Sequence, residues 1–202
     1  MARQERAERT RRAVLHAAAG EFARHGFAGT SLIRISRAAH VTMGALTFHF
    51  PSKSELAHAV EDWGIVMTRR ALPPRRRVAG VEDVTGFART LVRLLEREVA
   101  VQAAARLAWD GSGTGANWYE TWLALLHDRL GDVDGALAAL RPPQRVAALV
   151  LCAVAGTEVV VRLGGPPSGP GDTQLGDPAA LVRDLTRRPS ASCPLSEATD
   201  PR

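Results

Sequence analysis

The chain has 202 residues, 46% of them hydrophobic and 23% charged, which is enough apolar material for a buried core and excludes a disordered or fibrous chain. Its two cysteines, Cys152 and Cys193, stand in no ligand-like spacing, so neither a disulfide framework nor a cysteine-based zinc site is expected. Charge is uneven: residues 1–80 carry 14 Lys and Arg against 6 Asp and Glu, the remainder 12 against 15, so the net +5 conceals a basic N-terminal part. Such a part suits a polyanion, because neutralised phosphates release counterions, and suits a plain solvated surface equally. The opening residues 1–12 are charged throughout and lack the apolar core of a secretory leader, so a cytoplasmic chain is expected. The longest apolar stretch, residues 146–161, is about 16 residues long and includes Thr157 and Glu158, short of the roughly 18 that a bilayer crossing needs. A buried helix, and no membrane association, is the expectation there.

Four helices are predicted in the first 70 residues. Over residues 9–25, Val14, Ala18 and Phe22 recur every fourth position and Gly26 ends the helix. Thr30 is placed to cap a second, short helix through Leu32, Ile35 and Ala39, which closes in a His40-Val41 turn. Thr42 caps a third, short helix through Phe50, and Pro51 stops it by forcing its predecessor out of helical geometry. Ser52-Lys53-Ser54-Glu55 fits a capping box and opens a longer helix with Leu56, Val60, Trp63 and Met67 on one face.

Residues 72–80, rich in proline and arginine, break the pattern and mark an expected boundary between modules. Periodicity resumes at Val84, Phe87, Leu91 and Leu95 and runs as one helix to about Trp109, ahead of a glycine-rich segment at 111–115. A helix over residues 118–130 places Trp118, Trp122, Leu125 and Leu126 on one side, and an apolar helix follows at about 144–163. Residues 164–178 read as a loop, 179–187 as a last helix and 189–202 as a disordered tail. No segment alternates like a strand. The fold class is all-α, with a helix-turn-helix domain over residues 1–71 and a second helical domain over 81–188.

Two short helices joined by a tight turn and braced by longer ones form a helix-turn-helix, whose second short helix is shaped for a major groove. Leu32, Ile35, Ala39, Val41 and Leu46 are the expected core that fixes the interhelical angle. Met43, Gly44, Ala45, Thr47, Phe48 and His49 are then the candidates to meet double-stranded DNA, with Thr30 before them. Thr42 and Lys53, each at a helix start, are placed for phosphate.

Gly26-Phe27-Ala28-Gly29-Thr30-Ser31, followed by His40-Val41-Thr42-Met43-Gly44-Ala45-Leu46-Thr47-Phe48-His49-Phe50-Pro51-Ser52-Lys53, resembles the DNA-binding domain of the TetR family. The opening residues 2–7 and the Phe48-His49-Phe50 block are similar to the γ-butyrolactone receptors and pseudo-receptors within it. The resemblance covers roughly residues 5–65. Family members commonly carry glycine where this chain has His40, lysine where it has Met43 and tyrosine where it has Thr47. A positive φ at His40, and altered specificity or weaker DNA affinity, are therefore expected. Arg3 and Arg6, with the rest of the basic arm, are placed to compensate through minor-groove or phosphate contacts.

The resemblance further implies a homodimer and a small-molecule effector of butyrolactone or furan type, bound by the C-terminal helices. Trp122 looks like the tryptophan that lines the lactone pocket, and Thr157 resembles a pocket-side position. Trp109 and Trp118, with Phe87 and Leu91, complete the candidate lining, although large aromatics suit a packed core as well as a pocket. No cofactor, metal site or enzymatic activity is expected: the six histidines show no paired spacing on one helix face, and no phosphate loop, serine elbow or Cys/His pair occurs. The implied function is ligand-responsive repression from a palindromic operator, with antibiotic or secondary-metabolite genes as targets. Two alternatives stay open: a pseudo-receptor that does not respond to butyrolactones, and a heterodimerisation partner that titrates a relative from DNA.

Overall fold

A computed structural model describes residues 2–74, 81–111, 117–130 and 143–164. Within them the chain forms eight α-helices: α1 (Ala2–His25), α2 (Leu32–Ala38), α3 (Met43–His49), α4 (Lys53–Ala71), α5 (Val81–Arg97), α6 (Val99–Trp109), α7 (Trp118–Leu130) and α8 (Pro143–Arg162). The expected loop, helix and tail beyond residue 164, most of the proline-arginine boundary and most of the glycine segment lie outside the described residues.

Local chemistry sets the first four helices. The Thr42 hydroxyl accepts from the Ala45 N–H at 3.2 Å and that of Ser52 from the Glu55 N–H at 3.1 Å, as the capping patterns predict. The cap of α2 is Ser31, not Thr30: its hydroxyl accepts from the Arg34 N–H, and its backbone is extended at φ −123. His40 stands at φ +53, the left-handed geometry expected at the turn. Helix α1 starts at Ala2, a full arm earlier than apolar periodicity alone indicates, because charged residues extend a helix without marking a face.

Two apolar clusters organise the packing. One joins Val14, Ala18 and Phe22 of α1 to Ile35, Leu46, Leu56 and Val60; the other joins Phe87, Leu91 and Leu95 to Trp118, Trp122, Leu126, Val150 and Val154. Helix α6 belongs to both, with Ala103 and Leu107 in the first and Val101, Ala104 and Ala105 in the second. That double membership explains why one predicted helix is two. An amphipathic α5 packs chiefly on α8, whereas α6 is buried on nearly all sides between α1 and α4. The chain changes direction at Glu98, held extended at φ −113, and the Gln102 side-chain amide donates to the Leu95 carbonyl across the break.

The α4–α6 crossing is close because both sides are small. A Cβ on Gly64 would lie 2.6 Å from the Ala100 carbonyl oxygen and 2.6 Å from the Ala104 Cβ. Accordingly α4 buries Leu56, Val60, Gly64 and Thr68, and the face predicted through Trp63 and Met67 is rotated; Trp63 is only partly buried, with its ring 4.5 Å from that of His16.

Helix α8 is the apolar helix expected there, but longer than its apolar stretch alone indicates. It spans 20 residues and is long and apolar enough to cross a membrane by length and composition alone. Only 28% of that apolar window is buried within the described residues of this single chain. Val146, Ala147, Val150, Val154, Thr157 and Glu158 form its inward stripe.

Candidate nucleic-acid interface and effector core

Helices α2 and α3 meet through Ile35 and Leu46, both fully buried, with Leu32, Ala39 and Val41 packed around them. This small core holds α3 with one side outward. Thr42, Met43, Gly44 and Phe48 are exposed, Phe48 by 80%, while Ala45, Thr47 and His49 are half-buried. The Phe48 and His49 rings meet edge to face at 5.2 Å, and the Thr47 hydroxyl donates to the Met43 carbonyl at 3.0 Å. An exposed phenylalanine on a seven-residue helix leaves a large apolar surface in water, which contact with a partner would remove. Arg6 is exposed on α1; the side chain of Arg3 lies outside the described set.

Two predicted phosphate or DNA residues sit elsewhere. Thr30 is 3% exposed, and its hydroxyl is engaged by the Gly26 carbonyl at 2.8 Å and the Glu21 carbonyl at 3.2 Å. Lys53 reaches across the base of the motif: its ammonium donates to the carbonyls of Phe27 at 2.9 Å and Thr30 at 3.1 Å and lies 4.2 Å from the centre of the Phe27 ring. Two of its three donors are thus used inside the chain. Both residues brace the α1–α2 turn, on which the orientation of α2 and α3 depends.

Asp110, which carries no motif in the sequence, holds the same turn from the other side. Its Oδ2 accepts from the Phe27 N–H at 2.8 Å, and Arg106 stands 3.3 Å from its Oδ1. A side chain at Gly26, which adopts φ +67, would run into the Asp110 carboxylate. Gly26 is thus required twice: by its left-handed backbone, which the helix stop signals, and by the approach of Asp110, which leaves no local signal. Glu21 organises the outer edge of the turn: burial opposes its charge, yet the hydrogen bond from Arg24 and the nearby Arg34 and His25 hold its carboxyl below the usual range.

The candidate effector residues divide. Phe87, Leu91, Trp118 and Trp122 come together in one cluster, each fully buried, and Thr157 lies at 9% exposure on α8 with its hydroxyl donating to the Ala153 carbonyl. Trp109 does not join them: it is 57% exposed and its indole N–H donates to the Tyr119 hydroxyl at 2.8 Å. Within the cluster, Trp118 donates to the Thr68 hydroxyl at 2.9 Å, whereas the buried Trp122 indole N–H has no partner among the described residues. A buried donor without an acceptor is uncommon and costs about 1–3 kcal/mol.

Comparison with known proteins agrees with this arrangement. The family model described as bacterial regulatory proteins of the tetR family matches residues 14–60, which lie within the α1–α4 unit. CprB from Streptomyces coelicolor, solved in complex with its biological operator sequence, is 32% identical with a TM-score of 0.63, over 78% of this chain and 82% of that one. A γ-butyrolactone receptor, an ArpA-like protein, is 27% identical with a TM-score of 0.64, over 89% and 98%. The chain belongs to the TetR family. Within that family it is also similar to the A-factor receptor protein of Streptomyces griseus, 29% identical over 79% of this chain. The chain spans 58% of that receptor's length.

Proposed function

We propose that the protein is a homodimeric transcriptional repressor that places one α3 per subunit in successive major grooves of a roughly palindromic operator and is released by a small apolar effector. The exposed side of α3, presented by a fully buried Ile35–Leu46 core beside a basic α1, carries this reading. Thr42, Met43, Gly44, Ala45, Thr47, Phe48 and His49 are the groove-facing set, with Arg3 and Arg6 reaching phosphate or the minor groove. Lys53 keeps one donor for phosphate while it braces the motif. The apolar outer side of α8, including Val159 at 37% exposure, supports a second copy of the chain as its cover. A cytoplasmic location follows from that role.

A gel-shift titration against the gene's own upstream DNA, with nonspecific competitor, tests the reading; a discrete competitor-resistant complex is expected, and salt-sensitive smearing alone would reject it. Met43→Lys should add one phosphate contact per subunit, two per dimer, steepening the dependence of log affinity on log salt by about two. Fluorescence anisotropy at four salt concentrations reads that slope.

The unpartnered Trp122 donor supports an effector with a carbonyl or ether oxygen, of butyrolactone or furan type, lodged among Phe87, Leu91, Trp118 and Trp122 with Thr157 at the edge. Trp122→Phe keeps an aromatic ring and removes the N–H. It should leave operator affinity within about twofold while raising the effector concentration needed for release roughly tenfold, since one neutral hydrogen bond contributes about 1 kcal/mol or somewhat more. Equal loss of DNA binding and release would instead mark Trp122 as core packing alone.

A further inference from the structure

A cavity lies at the edge of the Trp122 cluster, which Leu95 shares with it, where α1 meets the α5–α6 junction and the end of α8. It measures about 110 Å³ and shares no residue with the proposed effector core. Its lining is of two kinds. Ala23, Leu95 and Val161 supply an apolar surface, and Arg24 and Arg162 bring guanidinium groups from helices distant in sequence.

Among the described residues both guanidiniums have donors to spare. Arg24 is 62% exposed along its side chain and hydrogen-bonds Glu21 at 2.9 Å through one nitrogen, while the other Glu21 oxygen is held by Arg34 at 3.0 Å. Arg162 stands 3.8 Å from Glu158, near enough for an ion pair and too far for a hydrogen bond. Gln102 also faces the cavity, with one of its two amide N–H groups committed to the Leu95 carbonyl. Glu158 is the opposing charge, and burial pushes its carboxyl up from the ordinary range, with Arg162 and Arg106 acting against that shift. The cavity therefore offers an anion two forked donors next to a hydrocarbon wall.

We propose that this cavity binds a short-chain monocarboxylate, its carboxylate held between Arg24 and Arg162 and its tail against Ala23, Leu95 and Val161. Arginine forks match a carboxylate in geometry as well as charge. The volume is below the roughly 150 Å³ that holds a benzene ring, which limits the enclosed part of the occupant to about four or five non-hydrogen atoms, enough for the carbon chain of butyrate with its carboxylate oxygens at the exposed Arg24 side. Such a ligand ties α1 to α8. On the repressor reading above it links the groove-facing motif to the apolar helix, but the site itself does not depend on that reading.

Titration calorimetry and thermal unfolding of the full-length chain, without DNA, test the site. Sodium butyrate should bind with one-to-one stoichiometry per chain and raise the unfolding temperature in proportion to the logarithm of its concentration, while sodium chloride at equal ionic strength and butylammonium chloride should not. Arg24→Ala, which leaves Glu21 paired with Arg34, should weaken butyrate about tenfold, and Val161→Asp should abolish binding without altering the basal unfolding temperature by more than a few degrees. Three results would overturn the proposal: no heat or stabilisation with butyrate, an equal effect of chloride, or preference for butylammonium, which would make Glu158 the recognition group. Because no operator enters these measurements, their failure leaves the gel-shift result untouched, and the reverse holds.

Discussion

Replacing Gly64 with alanine is expected to destabilise the protein by about 2–3 kcal/mol, although alanine is the better helix former by about 1 kcal/mol in an exposed site. The added Cβ would meet the Ala100 carbonyl oxygen and the Ala104 Cβ, both at 2.6 Å, and neither is the end of a flexible side chain that can swing aside. Helix α6 must then move off α4. That displacement carries Asp110 away from the Phe27 N–H, because Asp110 caps the end of α6 and holds the turn from there. Operator affinity should therefore fall further than the loss of folded protein alone explains. Gly86, in α5, provides the control: no described atom lies within 4 Å of where its Cβ would stand, so Gly86→Ala should stabilise by up to about 1 kcal/mol. Urea titration of the two variants separates the cases, and a stabilised Gly64→Ala would mean that the helices are not in close contact there.

How much of this was legible in the sequence depends on the range of the interaction. Caps at Thr42 and Ser52 are contacts over three residues and could be read directly. The left-handed His40 was legible only through resemblance, since nothing local demands it. The bracing role of Lys53 was not legible for a physical reason: a lysine at a helix start has the same local pattern whether or not its ammonium also meets carbonyls 23 and 26 residues away. The break at Glu98 has neither glycine nor proline to announce it and follows from the different burial of α5 and α6. Asp110, 83 residues from the amide it accepts from, lay beyond any spacing argument. For the candidate site, the outward side of α3 was legible because its inward core follows helical periodicity, whereas the separation of Trp109 from Trp122 was not, since both fall in helices of similar apolar content.

Glu61→Gln should abolish the part of the pH dependence of stability that Glu61 carries between about pH 4.5 and 7. Glu61 is 3% exposed on α4; burial, reinforced by neighbouring Asp62 and opposed by a hydrogen bond with Trp118, pushes its carboxyl from 4.5 up to about 7. The folded chain thus keeps this proton to about pH 7, while the unfolded chain releases it near 4.5. As pH rises between those values the unfolded state is favoured, so this group's contribution to stability is highest below pH 4.5, falls across the interval and stays low above about 7. The full fall is on the order of 3 kcal/mol. Glutamine keeps an oxygen to accept from Trp118 and carries no charge, so the variant should match the parent at about pH 4 and exceed it by about that amount at about pH 8. Glu21, held below the ordinary range, acts in the opposite direction at lower pH, which is why the difference between the two proteins, and not the parent's own curve, isolates Glu61. Thermal or urea unfolding at about pH 4, 6 and 8 reads that difference. A constant offset across the series would show that residue 61 acts through packing and that its proton is not retained by the fold.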